Sequence, residues 1–215
     1  MRKKKTIYLV RHGEAEHNLK EPPRLYRGPL AELTELGHQQ AQCIAERASK
    51  LPIDALIAST MVRAQQTAGH ISRRIDKSII ACEFFVEVLL PSQLEGKVWL
   101  DPEVQRIHDE WGATMYTHQR VLDGENFPDI QHRSHQALRY LEDRPEENIM
   151  VVTHGLFKRA LVATVVLGDY ISAAALQKME FSFRTVNTGL TILSFDPDDK
   201  YSKWSMLSWN DYGHL

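Results

Sequence analysis

Short apolar runs alternate with longer stretches of helical periodicity along this chain, and this alternation constrains the fold more than any other feature. Three of the runs are rich in aliphatic residues and stop at polar or glycine-containing turns: residues 6–10, 54–58 and 148–153. Stretches with the spacing of amphipathic helices separate them. Strands that alternate with helices favour a mostly parallel sheet with helices on both faces. The sequence therefore predicts a three-layer α/β/α sandwich.

Further elements complete this prediction. Helices are predicted over residues 34–51, 63–71, 102–111, 115–122, 127–141 and 157–165, and another strand over residues 79–83. Thr34 and Ser59 each stand where a side chain could cap a following helix. Residues 189–195 and 203–209 are strand candidates joined by a turn-forming sequence, which predicts a C-terminal antiparallel element. We expect residues 1–215 to form one domain, with residues 91–127 as a lid insertion.

The ends of the predicted strands bring together side chains suited to phosphate. The first strand ends at Arg11 and His12, the second leads into a helix that carries Arg63, and a later strand ends at His154. Ligands bind outside the carboxyl ends of the strands in sheets of this type. Arginine offers paired N–H donors that match phosphate oxygens, and a histidine with an unprotonated ring nitrogen can be a nucleophile. Each motif alone would more often be an ordinary turn, but their convergence favours a phosphate site.

Composition argues against several other classes of protein. No apolar run approaches the length of a membrane-spanning helix, and the basic residues 2–5 precede too short an apolar run for an export signal. The net charge of −2 argues against general binding to nucleic acid or to anionic membranes. Cys43 and Cys82 provide no disulfide framework, so we expect a cytoplasmic protein.

The order of these motifs resembles that of the histidine phosphatase superfamily, the group that includes cofactor-dependent phosphoglycerate mutase. The matching segments are residues 9–14 with Asn18, 33–41, 59–68, 124–126 with Arg133, 151–155, and Asn187. Together they cover nearly the whole chain.

The resemblance implies a mechanism for this chain. His12 would attack phosphorus and become phosphorylated, while Arg11, Arg63 and His154 would bind the nonbridging oxygens and stabilise the transition state. A carboxylic acid would protonate the departing oxygen and then activate water. Glu87 is the candidate because it follows an apolar run, and Glu83 is the alternative.

Other candidate residues surround this core. Asn18, Arg24 and Arg27 follow the nucleophile and are candidates for contact with substrate. The chemistry requires no metal or other cofactor. His132 and His135 have the spacing of one helix face, but no metal-binding motif accompanies them, so we interpret them as a solvated face.

The resemblance favours a phosphatase that acts on small phosphate monoesters. The chain lacks two segments by which phosphoglycerate mutases resemble one another, so mutase-type phosphoryl transfer is the alternative. A protein phosphohistidine phosphatase and a phosphate-binding module without turnover are further alternatives, although a mere binder would not require a nucleophile. Residues 91–127, which contain Trp99, Trp111 and Tyr116, are predicted to form the lid that selects the substrate.

Overall fold

A computed structural model describes residues 2–18, 25–26 and 28–215. Within these residues the chain forms six β-strands and six α-helices. The strands are β1 (Lys5–Arg11), β2 (Ala55–Ala58), β3 (Ile79–Ala81), β4 (Asn148–Thr153), β5 (Leu190–Phe195) and β6 (Trp204–Asp211). The helices are α1 (Glu35–Ala48), α2 (Val62–Ile75), α3 (Pro102–Thr114), α4 (Phe127–Asp143), α5 (Gly155–Leu167) and α6 (Ala173–Ser182).

All six strands belong to one sheet, in the order β3-β2-β4-β1-β5-β6. The first four strands in this order run parallel to one another, whereas β5 pairs antiparallel with both β1 and β6. The predicted mostly parallel sheet with a C-terminal antiparallel element is confirmed. None of the helices in the described ranges is long and apolar enough to cross a membrane.

Alternation along β1 shows how the helices cover both faces of the sheet. Ile7 and Leu9 pack in a core with residues of α4, α5 and α6. Tyr8 and Val10 point the opposite way and pack against α1 and α2. Because successive strand side chains point to opposite faces, a run that is apolar at every position requires a helical layer on each side. The predicted three-layer arrangement is therefore confirmed.

The predicted helix over residues 115–122 is wrong. Helix α3 ends at Thr114, and the chain then runs without regular structure until α4 begins. The side-chain amide of Asn126 donates hydrogen bonds to the carbonyl oxygens of His118 and Gln119, each at 3.2 Å. Leu122 also has a φ of 51°, which is outside the helical region. These local contacts replace the hydrogen bonds that a helix would need.

Two predicted helix caps have different outcomes. The hydroxyl of Thr34 accepts a hydrogen bond from the N–H of Gly37 at 3.0 Å, so the cap of α1 is confirmed. Ser59 does not cap α2, because that helix begins later and its N-cap residue is Met61, without a side-chain cap. The hydroxyl of Ser59 instead contacts the ring of His154. The predicted strand over residues 79–83 is also shorter, since β3 ends at Ala81.

Candidate active site

Strand register places the two histidine motifs side by side. Arg11 of β1 is paired with Thr153 of β4, and the N–H of His12 donates to the carbonyl oxygen of Thr153 at 2.9 Å. The N–H of Ser59, just after β2, donates to the carbonyl oxygen of Val152 at the same distance. The carboxyl ends of β1, β2 and β4 therefore meet at one edge, as expected for a ligand site in a parallel sheet.

A close contact between two glycines shapes the turn that carries the nucleophile candidate. A Cβ atom on Gly13 would lie 2.4 Å from the carbonyl oxygen of Gly37, and a Cβ atom on Gly37 would lie 1.9 Å from that of Glu14. Only glycine permits such an approach of two backbones. The N–H of Gly13 also donates to the hydroxyl of Thr67 at 3.0 Å. The turn is thus held between the start of α1 and the middle of α2.

His12 is held in a single tautomer. Its Nδ1 atom lies 2.6 Å from the carbonyl oxygen of Gly13, which can only accept a hydrogen bond, so Nδ1 carries the proton. Its Nε2 atom accepts a hydrogen bond from the Nε–H of Arg63 at 3.2 Å. Burial lowers the pKa of His12 well below its usual value, and the charge of Arg63 lowers it further. The imidazole is therefore neutral, with its lone pair on Nε2.

Backbone carbonyls direct the two arginines, of which Arg63 is buried and Arg11 is half-buried. Arg63 donates to the carbonyl oxygen of Gly28 at 2.8 Å, and burial lowers its pKa to about 10. Arg11 donates through Nη1 to the carbonyl oxygen of Thr185 at 2.8 Å. The buried Nε atom of Arg11 has no hydrogen-bond partner among the described residues. Because leaving a buried charged donor unsatisfied is costly, this atom is suited to bind an anion.

His154 lies beside His12, with ring centroids 5.1 Å apart. Its Nε2 atom lies 2.7 Å from the hydroxyl of Ser59, which already accepts a hydrogen bond from the N–H of Met61. In the tautomer in which the Ser59 hydroxyl donates to Nε2, the proton of the neutral ring lies on Nδ1. This buried Nδ1 atom has no hydrogen-bond partner within the described ranges. Burial, followed by the charge of Arg63, lowers the pKa of His154 well below its usual value.

Glu87 lies at the N-terminus of α5, immediately after the second histidine motif. One carboxylate oxygen accepts from the N–H groups of Val88 and Phe157, at 2.9 and 2.8 Å, and the other accepts from the N–H of Leu156 at 3.2 Å. A carboxylate is favoured at a helix N-terminus because the first N–H groups of the helix lack partners within it. Glu83, the alternative acid, is exposed on a short 3-10 helix.

A partly shielded ion pair anchors the segment that carries Glu87. The guanidinium of Arg133 donates to both carboxylate oxygens of Glu125, at 2.8 and 2.6 Å. Arg133 also donates to the carbonyl oxygens of Val86, at 2.7 Å, and Glu87, at 3.3 Å. The carboxylate of Glu125 accepts from the N–H of Leu89 at 2.8 Å. The pair thus fixes the backbone on both sides of the candidate acid.

Asn18 and Asn187 form hydrogen bonds with the backbone close to the nucleophile candidate. The side-chain oxygen of Asn18 accepts from the N–H of Ala15 at 3.0 Å and so supports the loop after the nucleophile. Asn187 donates to the carbonyl oxygen of His12 at 3.0 Å. Arg24 and Arg27 lie outside the described residues. The described part of the chain contains no group of three or more His, Cys, Asp or Glu side chains that could hold a metal.

Sequence reasoning missed His17. Its ring centroid lies 5.4 Å from that of His12, and it lines the same cavity as Arg63 and Glu87. The residue is on a short 3-10 helix, Glu16–Asn18, which turns the chain back over the site. The sequence does show a histidine five positions after the nucleophile. Because His17 does not directly follow a strand, its position relative to the sheet edge could not be predicted.

Of the three aromatic residues assigned to the predicted lid, only Trp99 lines this cavity. Trp111 is buried in the main core, and Tyr116 packs against that core.

Comparison with known proteins agrees with this geometry. The family model described as "Histidine phosphatase superfamily (branch 1)" matches residues 7–212. A protein of Enterobacter sp. (strain 638), named probable phosphoglycerate mutase GpmB, is 33% identical over 166 residues, which cover 74% of each chain.

Two solved structures have similar folds. A putative alpha-ribazole-5'-P phosphatase from Escherichia coli superposes with a TM-score of 0.77 at 21% identity, covering 96% of both chains. Phosphoserine phosphatase from Entamoeba histolytica, solved in complex with 3-phosphoglyceric acid, superposes with a TM-score of 0.72 at 26% identity. That match covers 98% of this chain and 99% of the other.

The family match extends over nearly the whole chain and includes both histidine motifs, Arg63 and the segment around Glu87. It supports a phosphatase or phosphotransferase. The chain belongs to the histidine phosphatase superfamily, branch 1.

Proposed function

We propose that this protein hydrolyses small phosphate monoesters through a phosphohistidine intermediate on His12. The observation that carries the proposal is the arrangement at His12, whose Nε2 lone pair lies among buried cationic and neutral donors. Arg11 Nε and His154 Nδ1 supply donors for phosphate oxygens. Such preorganised donors stabilise the charge that develops on a transferring phosphoryl group.

The proposed reaction has two steps. First, the Nε2 lone pair of His12 attacks phosphorus, the ester P–O bond breaks, and Glu87, which enters this step protonated and regains its proton in the second step, gives that proton to the departing oxygen. Arg63 exchanges its hydrogen bond to His12 for one to a phosphate oxygen, which frees the lone pair. Second, water attacks phosphorus, the carboxylate of Glu87 takes a proton from that water, and the N–P bond breaks to release phosphate.

The proposal extends to the setting of the site. The lid over residues 91–127 would select the substrate, and the position of Ser92, Trp99 and Asp123 along the cavity wall supports this. A cytoplasmic location is supported by Cys43 and Cys82, which are both free thiols.

A first experiment tests the nucleophile. We expect the protein to hydrolyse a chromogenic phosphate monoester in the presence of EDTA and the His12→Ala variant to lose this activity. His132→Ala, which removes an exposed histidine, is the matched control and should retain it. Rapid quenching with labelled substrate should trap an acid-labile, alkali-stable phosphoryl group on the protein. Turnover that survives His12→Ala, or that requires added metal, would contradict the mechanism.

Phosphoglycerate mutase activity is the second candidate function, favoured by the name of the Enterobacter relative. A mutase must hold a second anionic group and protect its phosphohistidine from water. Incubation with 3-phosphoglycerate and a 2,3-bisphosphoglycerate primer separates the two activities. We expect slow release of phosphate, whereas rapid formation of 2-phosphoglycerate would establish the mutase. Binding of phosphate without either reaction would indicate a module without turnover.

A further inference from the structure

A cavity of about 330 Å³ lies next to Glu87, the proposed general acid. Arg63 and Glu87 line it, and the cavity extends from them toward Leu89 and Trp99. In the proposed reaction, Glu87 protonates the oxygen that leaves phosphorus. The carbon skeleton attached to that oxygen must therefore occupy the space next to Glu87, which is this cavity.

The wall of the cavity is largely apolar. Leu25, Tyr26, Met61, Leu89 and Trp99 all contribute side chains to it. Such a surface binds a ligand by removing apolar area from water, so it favours an aromatic or branched hydrocarbon group.

Backbone pairing holds one side of this wall in place. The N–H of Tyr26 donates to the carbonyl oxygen of Lys97 at 2.9 Å, and the N–H of Gly96 donates to that of Tyr26 at 2.7 Å. Leu25 forms an antiparallel bridge with Val98. The ring of Tyr26 also packs on the cluster formed by Leu94 and residues of α3. The cavity is therefore bounded by a paired backbone and a packed side chain.

The charges along the wall are acidic. Glu87, Glu95 and Asp123 contribute carboxylates, whereas Arg63 is the single arginine or lysine among the described lining residues. The donors of Arg63 are directed at His12, at the carbonyl oxygen of Gly28 and at the sulfur of Met61.

Tyr26 adds a neutral polar group to this wall, and, besides the charged side chains, His17 and Ser92 are the other polar residues among its described lining. Burial raises the pKa of Tyr26 to about 12, so its hydroxyl is uncharged at neutral pH. Among the described lining residues, a second anionic group would thus face three carboxylates, and the single guanidinium, that of Arg63, is the one assigned to the transferring phosphate.

We propose that the preferred substrates are phosphate monoesters of apolar alcohols, aromatic or branched, that carry no second anionic group. This inference rests on the proposed function, because it assigns the cavity to the leaving group of that reaction. The inference distinguishes this site from a site that binds phosphorylated carboxylic acids, which carry a second anionic group.

The test compares two benzyl phosphates, one with a para-methyl group and one with a para-carboxylate. The methylene group insulates the leaving oxygen, so the intrinsic reactivity of the two esters is similar. We expect kcat/KM to be at least about tenfold higher for the methyl compound. Trp99→Ala should lower kcat/KM for the methyl compound, while Leu100→Ala, which changes an exposed neighbour outside the cavity wall, should not.

A charge reversal at the cavity wall should increase an activity, and unfolding of the variant cannot produce such an increase. Glu95→Lys should raise kcat/KM for the carboxylate compound, whereas Glu147→Lys, at the opposite end of the sheet, should leave the preference unchanged. Equal or better His12-dependent hydrolysis of the carboxylate compound by the unmodified protein would overturn this inference alone. Loss of His12-dependent hydrolysis for both esters would overturn the proposed function and this inference with it.

Discussion

The Nε atom of Arg63 lies 3.2 Å from the Nε2 atom of His12 and donates a hydrogen bond to it. This contact directs the His12 lone pair and places a fixed positive charge beside the imidazole, which opposes its protonation. The cation that would bind phosphate therefore also keeps the nucleophile unprotonated.

Replacing the guanidinium at position 63 should impair catalysis while keeping the charge. Arg63→Lys removes the fork that reaches both His12 and the carbonyl oxygen of Gly28. We expect kcat/KM to fall by about 10²–10³-fold, the range for loss of one preorganised donor. Steady-state kinetics measure this, with Arg73→Lys on the exposed side of α2 as the control. An unchanged kcat/KM in Arg63→Lys would show that charge alone suffices.

Stability should fall as the pH decreases below about 6.5. Burial lowers the pKa of His12 and of His154 in the folded protein, so below the ordinary histidine pKa the unfolded chain binds protons that the folded protein does not. Each such proton gives a slope of about 1.4 kcal/mol per pH unit, with stability rising as pH rises.

Denaturant unfolding at pH 7 and at lower pH measures this slope. His12→Asn should reduce it, whereas His132→Asn, on an exposed surface, should leave it unchanged. An equal slope in His12→Asn would mean that His12 does not contribute to the pH dependence.

Two matched variants, Glu87→Gln and Glu83→Gln, test which glutamate is the general acid. Glu87→Gln keeps an oxygen that can accept from the N–H of Phe157 but removes the proton that the leaving group needs. We expect kcat for an alkyl phosphate to fall by about 10²–10⁴-fold, with a smaller loss for 4-nitrophenyl phosphate, whose leaving group needs no proton. Glu83→Gln should have little effect. The reverse result would assign the acid to Glu83.

The contact between the nucleophile turn and α1 should not tolerate a methyl group. In Gly37→Ala the added Cβ would lie 1.9 Å from the carbonyl oxygen of Glu14, so the backbone must move. We expect a loss of about 1–3 kcal/mol in the free energy of unfolding, together with reduced activity. Gly112→Ala is the control, because its added Cβ would meet no atom within 4 Å apart from the adjoining backbone of its own helix, α3. That variant should be neutral or more stable by up to about 1 kcal/mol.

The ion pair between Arg133 and Glu125 should show strong coupling. Their side chains are only 12% and 11% exposed, so Arg133→Met would leave a poorly solvated carboxylate without its partner. We expect this variant to lose about 3–5 kcal/mol of stability. The double variant Arg133→Met/Glu125→Met should recover part of that loss in denaturant unfolding. If the stability loss of the double variant equals the sum of the losses in Arg133→Met and Glu125→Met, the two residues are not coupled.

Sequence patterns were sufficient for the architecture and for the residues that gather at the sheet edge. The apolar runs of β1, β2 and β4 end at Arg11, Ala58 and Thr153, and parallel pairing necessarily brings those ends together. A helix cap could also be predicted where a single side chain decides it, as at Thr34. The helix prediction failed at residues 115–122, where the side-chain amide of Asn126 donates to two carbonyl oxygens that would otherwise accept hydrogen bonds within a helix.

The sequence by itself determined which side chains reach the strand ends, because period-two and helical spacings are local properties of the chain. Only the tertiary structure decided the tautomer of His12, the position of His17 and the anchoring of Glu87 on α5. The first two depend on the backbone path of the turn after β1, which sets where the carbonyl of Gly13 and the ring of His17 lie relative to His12. The third depends on N–H groups that α5 presents seventy residues further along the chain, and no spacing along the chain encodes either.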